Sequence, residues 1–211
     1  MKKLLFVLIS SLATCTLFAQ MNSNPFKKFY IDGGGGAATN NGAFAELGAK
    51  AILKNNWVFS LSYYTANVNP KNLPSNYEPG YTVLIIIPVP DAMPSADMKM
   101  INFTAGRFLP LGRKSWVTVE GGLSIVSGKT YDFKPQQVET DWFYWSSNYS
   151  SETKSKTTIG GILRTDFTWA CTPFLGMGIG AFANVNSIQS PVGVELKLVA
   201  GWLNTRKRHE K

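Results

Sequence analysis

The chain has 211 residues, enough for one domain, and a formal net charge of +8. Only 16% of its residues are charged while 13% are aromatic, an unusual balance for a soluble globular protein. After residue 19 no eighteen consecutive apolar residues occur, so the sequence predicts no transmembrane helix. The basic excess lies largely in Arg206–Lys211, which we interpret as a solvated end rather than a nucleic-acid-binding site.

The first nineteen residues have the features of an export signal. Met1–Lys3 is cationic, Leu4–Leu17 is mostly apolar, and Ala19 offers a small residue for cleavage. Lipidation at Cys15 is a weaker alternative, because Thr14 is a poor residue before a lipidated cysteine. Cleavage after Ala19 would remove two lysines, bringing the charge from +8 to +6. It would also leave one cysteine, so no internal disulfide is expected.

The segment Val192–Leu203 alternates, with one parity wholly apolar and the other a mixture of charged residues and glycine together with Val199 and Leu203. Because side chains alternate across a strand, one face of this strand is apolar. The pattern recurs along the chain behind an export signal, which is typical of transmembrane β-barrels. The eight predicted strands are Phe29–Ala38, Gly42–Lys54, Trp57–Val68, Met98–Leu109, Trp116–Gly128, Thr157–Ala170, Phe174–Asn186 and Val192–Leu203.

The connections between these strands are asymmetric. Two are long, Asn69–Asp97 and Lys129–Lys156, whereas three alternate connections are tight turns. The sequence therefore predicts an all-β fold, an eight-stranded antiparallel up-and-down transmembrane β-barrel with short periplasmic turns and two long extracellular loops. Within the first loop, Tyr81–Pro90 is either a strand extended above the membrane and stopped by Pro88, or an additional strand pair that makes ten.

This fold divides the chain into four parts. They are a signal peptide (1–19), a periplasmic N-terminal segment (20–28), the barrel (29–203) and a basic periplasmic tail (204–211).

Aromatic residues are expected to mark the periplasmic edge of the membrane, where amphipathic rings prefer the interface. The predicted girdle consists of Trp57, Trp116, Trp169 and Trp202, although Trp116 has lumen-facing parity. The outward faces of the second, fifth and seventh strands carry no charge. Arg107 shares the outward parity of the fourth strand, but near its periplasmic end, where the cost of a charge is small.

The lumen-facing parity carries charges of both signs: Asp32, Glu46, Lys50, Glu120, Arg164, Asp166, Glu195 and Lys197. An eight-stranded barrel is just wide enough for side chains to fill, and isolated buried charges are prohibitive. We therefore expect a plug of paired charges, with Glu120 and Asp166 flanking Arg164 and with glycines such as Gly48 and Gly180 making room.

The signal, the eight amphipathic strands, the short inner turns and the final strand with its aromatic Trp202 resemble the small bacterial outer-membrane barrels of the OmpA/OmpX type. The resemblance covers the predicted mature chain as architecture. It implies an outer-membrane location, contact with membrane lipid, and insertion by the barrel-assembly machinery. One feature departs from the family pattern, because eight residues follow Leu203 where many members end at an aromatic.

Catalytic chemistry is not expected. The only histidine, His209, lies in the tail, so neither a nucleophile–histidine pair nor a zinc site is predicted. The glycine run in Tyr30–Ala38 could cradle a phosphate, but no βαβ pattern follows it, so we favour a glycine-rich barrel strand. Glu120 and Asp166 are interpreted as structural rather than as a glycosidase pair. We predict no enzyme activity, no catalytic residue, no metal and no cofactor.

The second long loop is the predicted contact surface. Its aromatic residues, Trp142, Phe143, Tyr144, Trp145 and Tyr149, either bind a partner or fold back over the barrel mouth. Three functions remain open from sequence: a structural or adhesive surface barrel with an extracellular or membrane protein partner, a narrow conduit for small or hydrophobic solutes, and a soluble exported barrel that binds an apolar ligand.

Overall fold

The computed structural model describes residues 25–84, 87–90, 94–141 and 144–203. The predicted signal peptide, the basic tail, Trp142 and Phe143 lie outside these described residues. Within the same ranges there is no helix with the length and apolar character needed to cross a membrane.

Twelve strands are present in the described part of the chain. They are β1 (Phe26–Ala38), β2 (Gly42–Leu53), β3 (Trp57–Val68), β4 (Tyr81–Leu84), β5 (Ile87–Pro90), β6 (Ala96–Pro110), β7 (Ser115–Pro135), β8 (Thr140–Asp141), β9 (Tyr144–Trp145), β10 (Tyr149–Ala170), β11 (Leu175–Val185) and β12 (Val192–Trp202).

Eight of these strands form a closed barrel in the order β1-β12-β11-β10-β7-β6-β3-β2. Every pairing is antiparallel, and each barrel strand pairs with the barrel strands that precede and follow it along the chain. The first and last strands close the ring through the register from Phe29↔Trp202 to Ala38↔Gly193. The predicted eight-stranded antiparallel up-and-down barrel is confirmed.

The strands β7 and β10 are longer than the sequence predicts. Their ladder continues without a register shift to Tyr149↔Pro135, so a hairpin of Gly128–Pro135 and Tyr149–Lys156 extends beyond the barrel. Most residues of this hairpin are polar, and Tyr131 and Phe133 are the exceptions on the β7 side; this weakens the sequence signal. At the other end, β1 begins at Phe26, so residues 26–28 of the expected N-terminal segment lie in the barrel wall.

The loop segment Tyr81–Pro90 forms a hairpin in a separate four-stranded sheet, ordered β5-β4-β9-β8. The expectation that Pro88 stops this strand is wrong, because Pro88 pairs with Val83 inside β5. The possibility of ten barrel strands is also wrong, since this hairpin pairs with Tyr144–Trp145 of the second loop and not with the barrel wall.

The two ends of the barrel differ. At one end, called the turn end, the connections are residues 54–56, 111–114 and 171–174. β1 also begins at this end, and β12 ends there. At the other, called the loop end, the connections include 69–95 and 136–148. The two long connections therefore leave the same end of the barrel, as the sequence predicts.

The outer wall is an apolar belt. Its exposed side chains are large hydrophobic residues on every barrel strand, including Ile31, Leu47, Leu61, Phe103, Leu123, Leu163, Ile179 and Leu196. On β10 the belt extends from Ile159 to Trp169, ten steps or about 33 Å of strand. At the strand tilt usual for such barrels this corresponds to a band about 25 Å tall.

The lumen is filled in three layers, which the inward positions of β2 illustrate. From loop end to turn end these positions are Phe44, Glu46, Gly48, Lys50 and Ile52. Phe44 belongs to an apolar cluster at the loop end and Ile52 to a second at the turn end. A charged layer lies between two hydrophobic layers.

Each hydrophobic layer draws on several strands. The loop-end layer consists of Phe44, Tyr64, Ala66, Val68, Ala96, Met98, Met100, Val126, Ile162, Phe182 and Ile188. The turn-end layer consists of Tyr30, Ile52, Val58, Phe108, Trp116, Ala170, Val199 and Leu203.

Candidate functional site in the lumen and at the barrel ends

The charged layer contains all eight side chains that the sequence places in the lumen. They come from five strands and are each between 1% and 6% exposed: Asp32, Glu46, Lys50, Glu120, Arg164, Asp166, Glu195 and Lys197. The strand parity brings them to one face, and the closure of the barrel brings the five strands together around one axis.

Arg164 is the centre of the first group of ion pairs. Its Nε donates to Asp166 Oδ2 at 2.7 Å, and its Nη1 lies 2.5 Å from Glu46 Oε1. Its Nη2 is 3.5 Å from Glu195 Oε1 and 3.8 Å from Asp32 Oδ2. One guanidinium therefore contacts four carboxylates on four strands, which matches its several donors in a fixed fork.

Lys197 contacts the same carboxylates from β12. Its Nζ lies 2.6 Å from Glu46 Oε2, 2.9 Å from Glu195 Oε1 and 3.0 Å from Asp166 Oδ1. Asp32 is further away, at 3.5 Å. Arg164 and Lys197 together link β1, β2, β10 and β12 across the line where the barrel closes.

Lys50 forms the second group with Glu120 at 2.5 Å and with Asp166. Glu120 also accepts hydrogen bonds from Thr104 at 2.7 Å and from Thr118 at 2.9 Å. Glu120 lies directly opposite Arg164 in the strand register, as expected. Its closest cation is nevertheless Lys50, because the guanidinium of Arg164 is directed toward Asp166 and Glu46.

Two glycines in the wall make room for these carboxylates. A Cβ placed on Gly48 would overlap Asp32 Oδ1, and one on Gly180 would overlap Asp166 Oδ1 and lie 2.7 Å from Glu195 Oε1. The missing side chains therefore leave the space that the acidic groups occupy.

The network has more carboxylates than cations. Five acidic groups face three basic ones, and Asp32 Oδ1 and Glu195 Oε2 accept no hydrogen bond. In a low-dielectric interior such groups interact strongly. Loss of any one cation would therefore increase the excess of buried negative charge.

Three of the four predicted girdle tryptophans lie on the outer wall at the turn end. Trp57, Trp169 and Trp202 are 39%, 50% and 41% exposed. The placement of Trp116 in the girdle is wrong, because its side chain is 1% exposed and packs in the turn-end layer of the lumen beside Tyr30. Trp116 has an even number, and the even-numbered residues of this part of β7 face the lumen, as the parity in the sequence indicates.

The predicted aromatic surface of the second loop is divided. Tyr144 is exposed on β9, and Trp145 pairs with Tyr81 in the small sheet. Tyr149 is half-buried, its ring centroid 6.4 Å from that of Tyr77 and its hydroxyl 3.0 Å from Asn76 Oδ1. The structure therefore assigns Tyr149 to contacts between the loops.

These contacts join the two long loops into one assembly. Tyr77 packs edge-on against Phe133 at 5.9 Å between ring centroids. Asn148 donates to the carbonyl of Asn76 at 2.7 Å and accepts from the amide of Glu78 at 2.9 Å. Sequence reasoning missed this cluster, although the alternation of Tyr131 and Phe133 was a signal that the strand continues.

No protein-family model matches this sequence, and no curated protein matches it. Among solved structures, the chain is similar to Neisserial surface protein A, with 13% identity, a TM-score of 0.53, and coverage of 82% of this chain and 97% of that one. It is also similar to the N-terminal β-barrel domain of Pseudomonas aeruginosa OprF, with 9% identity, a TM-score of 0.49, and coverage of 85% and 100%.

A third similar structure is Ail, the attachment invasion locus protein of Yersinia pestis. It has 11% identity and a TM-score of 0.47, with coverage of 83% of this chain and 97% of that one. The chain has the fold of the small eight-stranded outer-membrane barrels of the OmpA/OmpX type, as the sequence resemblance predicts.

Proposed function

We propose that the protein is an integral outer-membrane barrel with a closed lumen, and that it serves a structural and surface-interaction role, without enzymatic activity, through its loop end. The observation that carries this proposal is the reversal of polarity across the wall: apolar side chains face outward and charged side chains face inward.

The apolar belt supports insertion into a bilayer. A continuous exposed hydrophobic surface around a whole barrel is unfavourable in water, whereas a band about 25 Å tall fits the hydrocarbon core. Arg107 is the charge on the outward face near the turn end. It lies over the ring of Trp57 at 4.1 Å and donates to the carbonyl of Asn55 at 3.4 Å, a geometry that directs it to the membrane edge.

The three layers of the lumen argue against the alternative function of a conduit for solutes. A solute would have to pass both hydrophobic layers and the ion-paired layer between them. The large buried side chains Trp116 and Tyr64 occupy the turn-end and loop-end layers, each at most 1% exposed. We propose that the eight charged residues act as a structural plug.

The same reversal argues against a soluble barrel that binds an apolar ligand. Such a protein needs an apolar cavity inside and a polar surface outside, whereas here the centre of the lumen carries eight charged groups and the outer wall is hydrophobic.

The loop assembly supports a contact role. The two long loops are linked by the small sheet and by the Tyr77 cluster, so they present a preorganised surface, which lowers the entropic cost of binding. We propose that this end is extracellular and contacts an extracellular or membrane protein partner, and that the barrel-assembly machinery inserts the chain.

The test is fractionation together with gel mobility. The protein should remain in membranes washed with alkaline carbonate and should migrate differently in SDS before and after boiling, because a closed ladder has no edge at which SDS can start to open it. Reconstituted in a planar bilayer it should add no steady conductance. Release by carbonate with a single gel mobility would refute insertion, and a steady conductance would refute the closed lumen.

A further inference from the structure

The charges outside the lumen are distributed unequally between the two ends. Within the described ranges the loop end carries six basic and six acidic residues. The basic ones are Lys71, Lys99, Lys129, Lys134, Lys154 and Lys156, and the acidic ones are Glu78, Asp97, Asp132, Glu139, Asp141 and Glu152. Outside the lumen, the described turn end carries five basic residues and no acidic ones: Lys27, Lys54, Arg107, Arg113 and Lys114. A sixth cation, Lys28, is buried inside this end of the barrel.

The cations at the turn end have no acidic partner among the described residues. Lys27 donates to the side chain of Asn56 at 3.0 Å. Lys28 is buried and lies over the ring of Trp116 at 4.2 Å. Lys54, Arg113 and Lys114 are exposed on the tight turns. This end of the molecule therefore has a positive potential, and no acidic side chain among the described residues pairs with its cations.

One turn-end cation, Arg107, lies at the level of the aromatic girdle. Arg107 is stacked on Trp57, which itself stacks on Phe59. In a membrane barrel, aromatic girdles mark the interface where lipid headgroups lie. Arg107 is thus placed at headgroup depth, and the turns that carry Lys54, Arg113 and Lys114 adjoin the same strand ends.

We propose that the turn end is a binding face for anionic phospholipid headgroups of the adjacent leaflet. This inference rests on the proposed membrane insertion. Headgroup phosphates surround a barrel in a plane, so they can pair at the same time with the outward Arg107 and with the cations on neighbouring turns. A compact acidic protein would reach the turns but not Arg107 on the outward face at the level of the girdle.

The experiment measures lipid selectivity at the barrel surface. The full barrel is reconstituted into phosphatidylcholine vesicles that contain spin-labelled phosphatidylglycerol or spin-labelled phosphatidylcholine. We expect phosphatidylglycerol to be preferred about threefold or more at low salt, since each cation near the surface adds to the attraction. The preference should fall toward one in about 1 M salt, where charges are screened within a few ångströms.

Two variants with equal loss of charge give the control. Lys54→Gln with Arg113→Gln and Lys114→Gln should lose most of the preference, whereas Lys71→Gln with Lys99→Gln and Lys156→Gln should keep it. None of these six side chains makes an ion pair in the described part of the chain, so neither variant breaks an ion pair. A third variant, Lys54→Arg with Arg113→Lys and Lys114→Arg, keeps the charge and should keep the preference.

Two outcomes would overturn the proposal: equal loss in both glutamine variants, or no preference in the wild-type protein, whether alone or combined with tight binding of soluble polyglutamate. The last result would assign the turn end to an acidic partner. A failure of the proposed membrane insertion would be distinguished from these outcomes, because neither spin-labelled lipid would then show a motionally restricted fraction.

Discussion

At the residue scale, the pairing of Lys50 with Glu120 is the clearest test of the charged layer. The two residues are 70 positions apart in sequence, and both are buried and in contact at 2.5 Å. Removing one member of a buried pair leaves the other charge uncompensated, which costs more than the pair contributes.

We predict that Lys50→Met destabilises the folded barrel by about 3–5 kcal/mol. The double variant with Glu120→Gln should recover part of this loss, giving a coupling energy above about 1 kcal/mol. Urea unfolding in lipid vesicles measures both quantities.

The exposed pair Lys129–Asp97, at 3.4 Å, is the matched control. Lys129→Met with Asp97→Asn should show a coupling of less than about 1 kcal/mol, because water and salt screen it. Strictly additive losses at Lys50 and Glu120 would mean that the two groups do not interact.

At the element scale, the glycine run in β1 is required by the closure of the barrel. Gly34 and Gly36 face β12, and a Cβ on Gly36 would overlap the carbonyl oxygen of Val194. The close approach of these two backbones explains a glycine-rich strand without a phosphate site.

Gly36→Ala should therefore prevent β1 from pairing with β12. We expect the variant to lose the compact form that resists SDS until boiled. Gly33→Ala, on the outward parity of the same strand, should keep it, because its Cβ would meet Glu46 O at 3.7 Å and Leu47 Cδ1 at 3.8 Å. Equal gel behaviour of the two variants would contradict the role of Gly36.

The loop assembly is a second element whose integrity can be tested. Tyr77 packs against Phe133 and Tyr149, so Tyr77→Ala should free the first long loop. Trypsin should then cut after Lys71 several times faster while the barrel stays intact. Tyr77→Phe keeps the ring and should be cut at the wild-type rate. An unchanged rate for Tyr77→Ala would show that these rings do not hold the loop.

At the scale of the whole molecule, orientation decides which surface can meet a partner. Cys171 is exposed in the connection between β10 and β11 at the turn end, whereas Val138 is exposed in a connection at the loop end. The two positions are separated by the full height of the barrel.

A membrane-impermeant maleimide applied to intact cells should not label Cys171, the one cysteine in the predicted mature chain. It should label a variant with Cys171→Ala and Val138→Cys. Labelling of Cys171 in intact cells would mean that the orientation is the opposite one, with the loop end facing the periplasm.

The sequence by itself determined the eight-stranded barrel and the direction of nearly every side chain. A strand has a period of two, so local alternation assigns each residue to a face without knowledge of its neighbours. This is why the parity of Trp116 already indicated the lumen, and why Glu120 and Lys50 could be placed inside from the sequence.

Only the tertiary structure decided which groups meet. The pairing of Lys50 with Glu120, the contact of Tyr77 with Phe133, and the glycine spaces that hold Asp32 depend on register and curvature around the closed ring. The continuation of β7 to Pro135 likewise depends on its partner β10. Contacts between distant strands are set by how the whole sheet closes, and no local pattern carries that information.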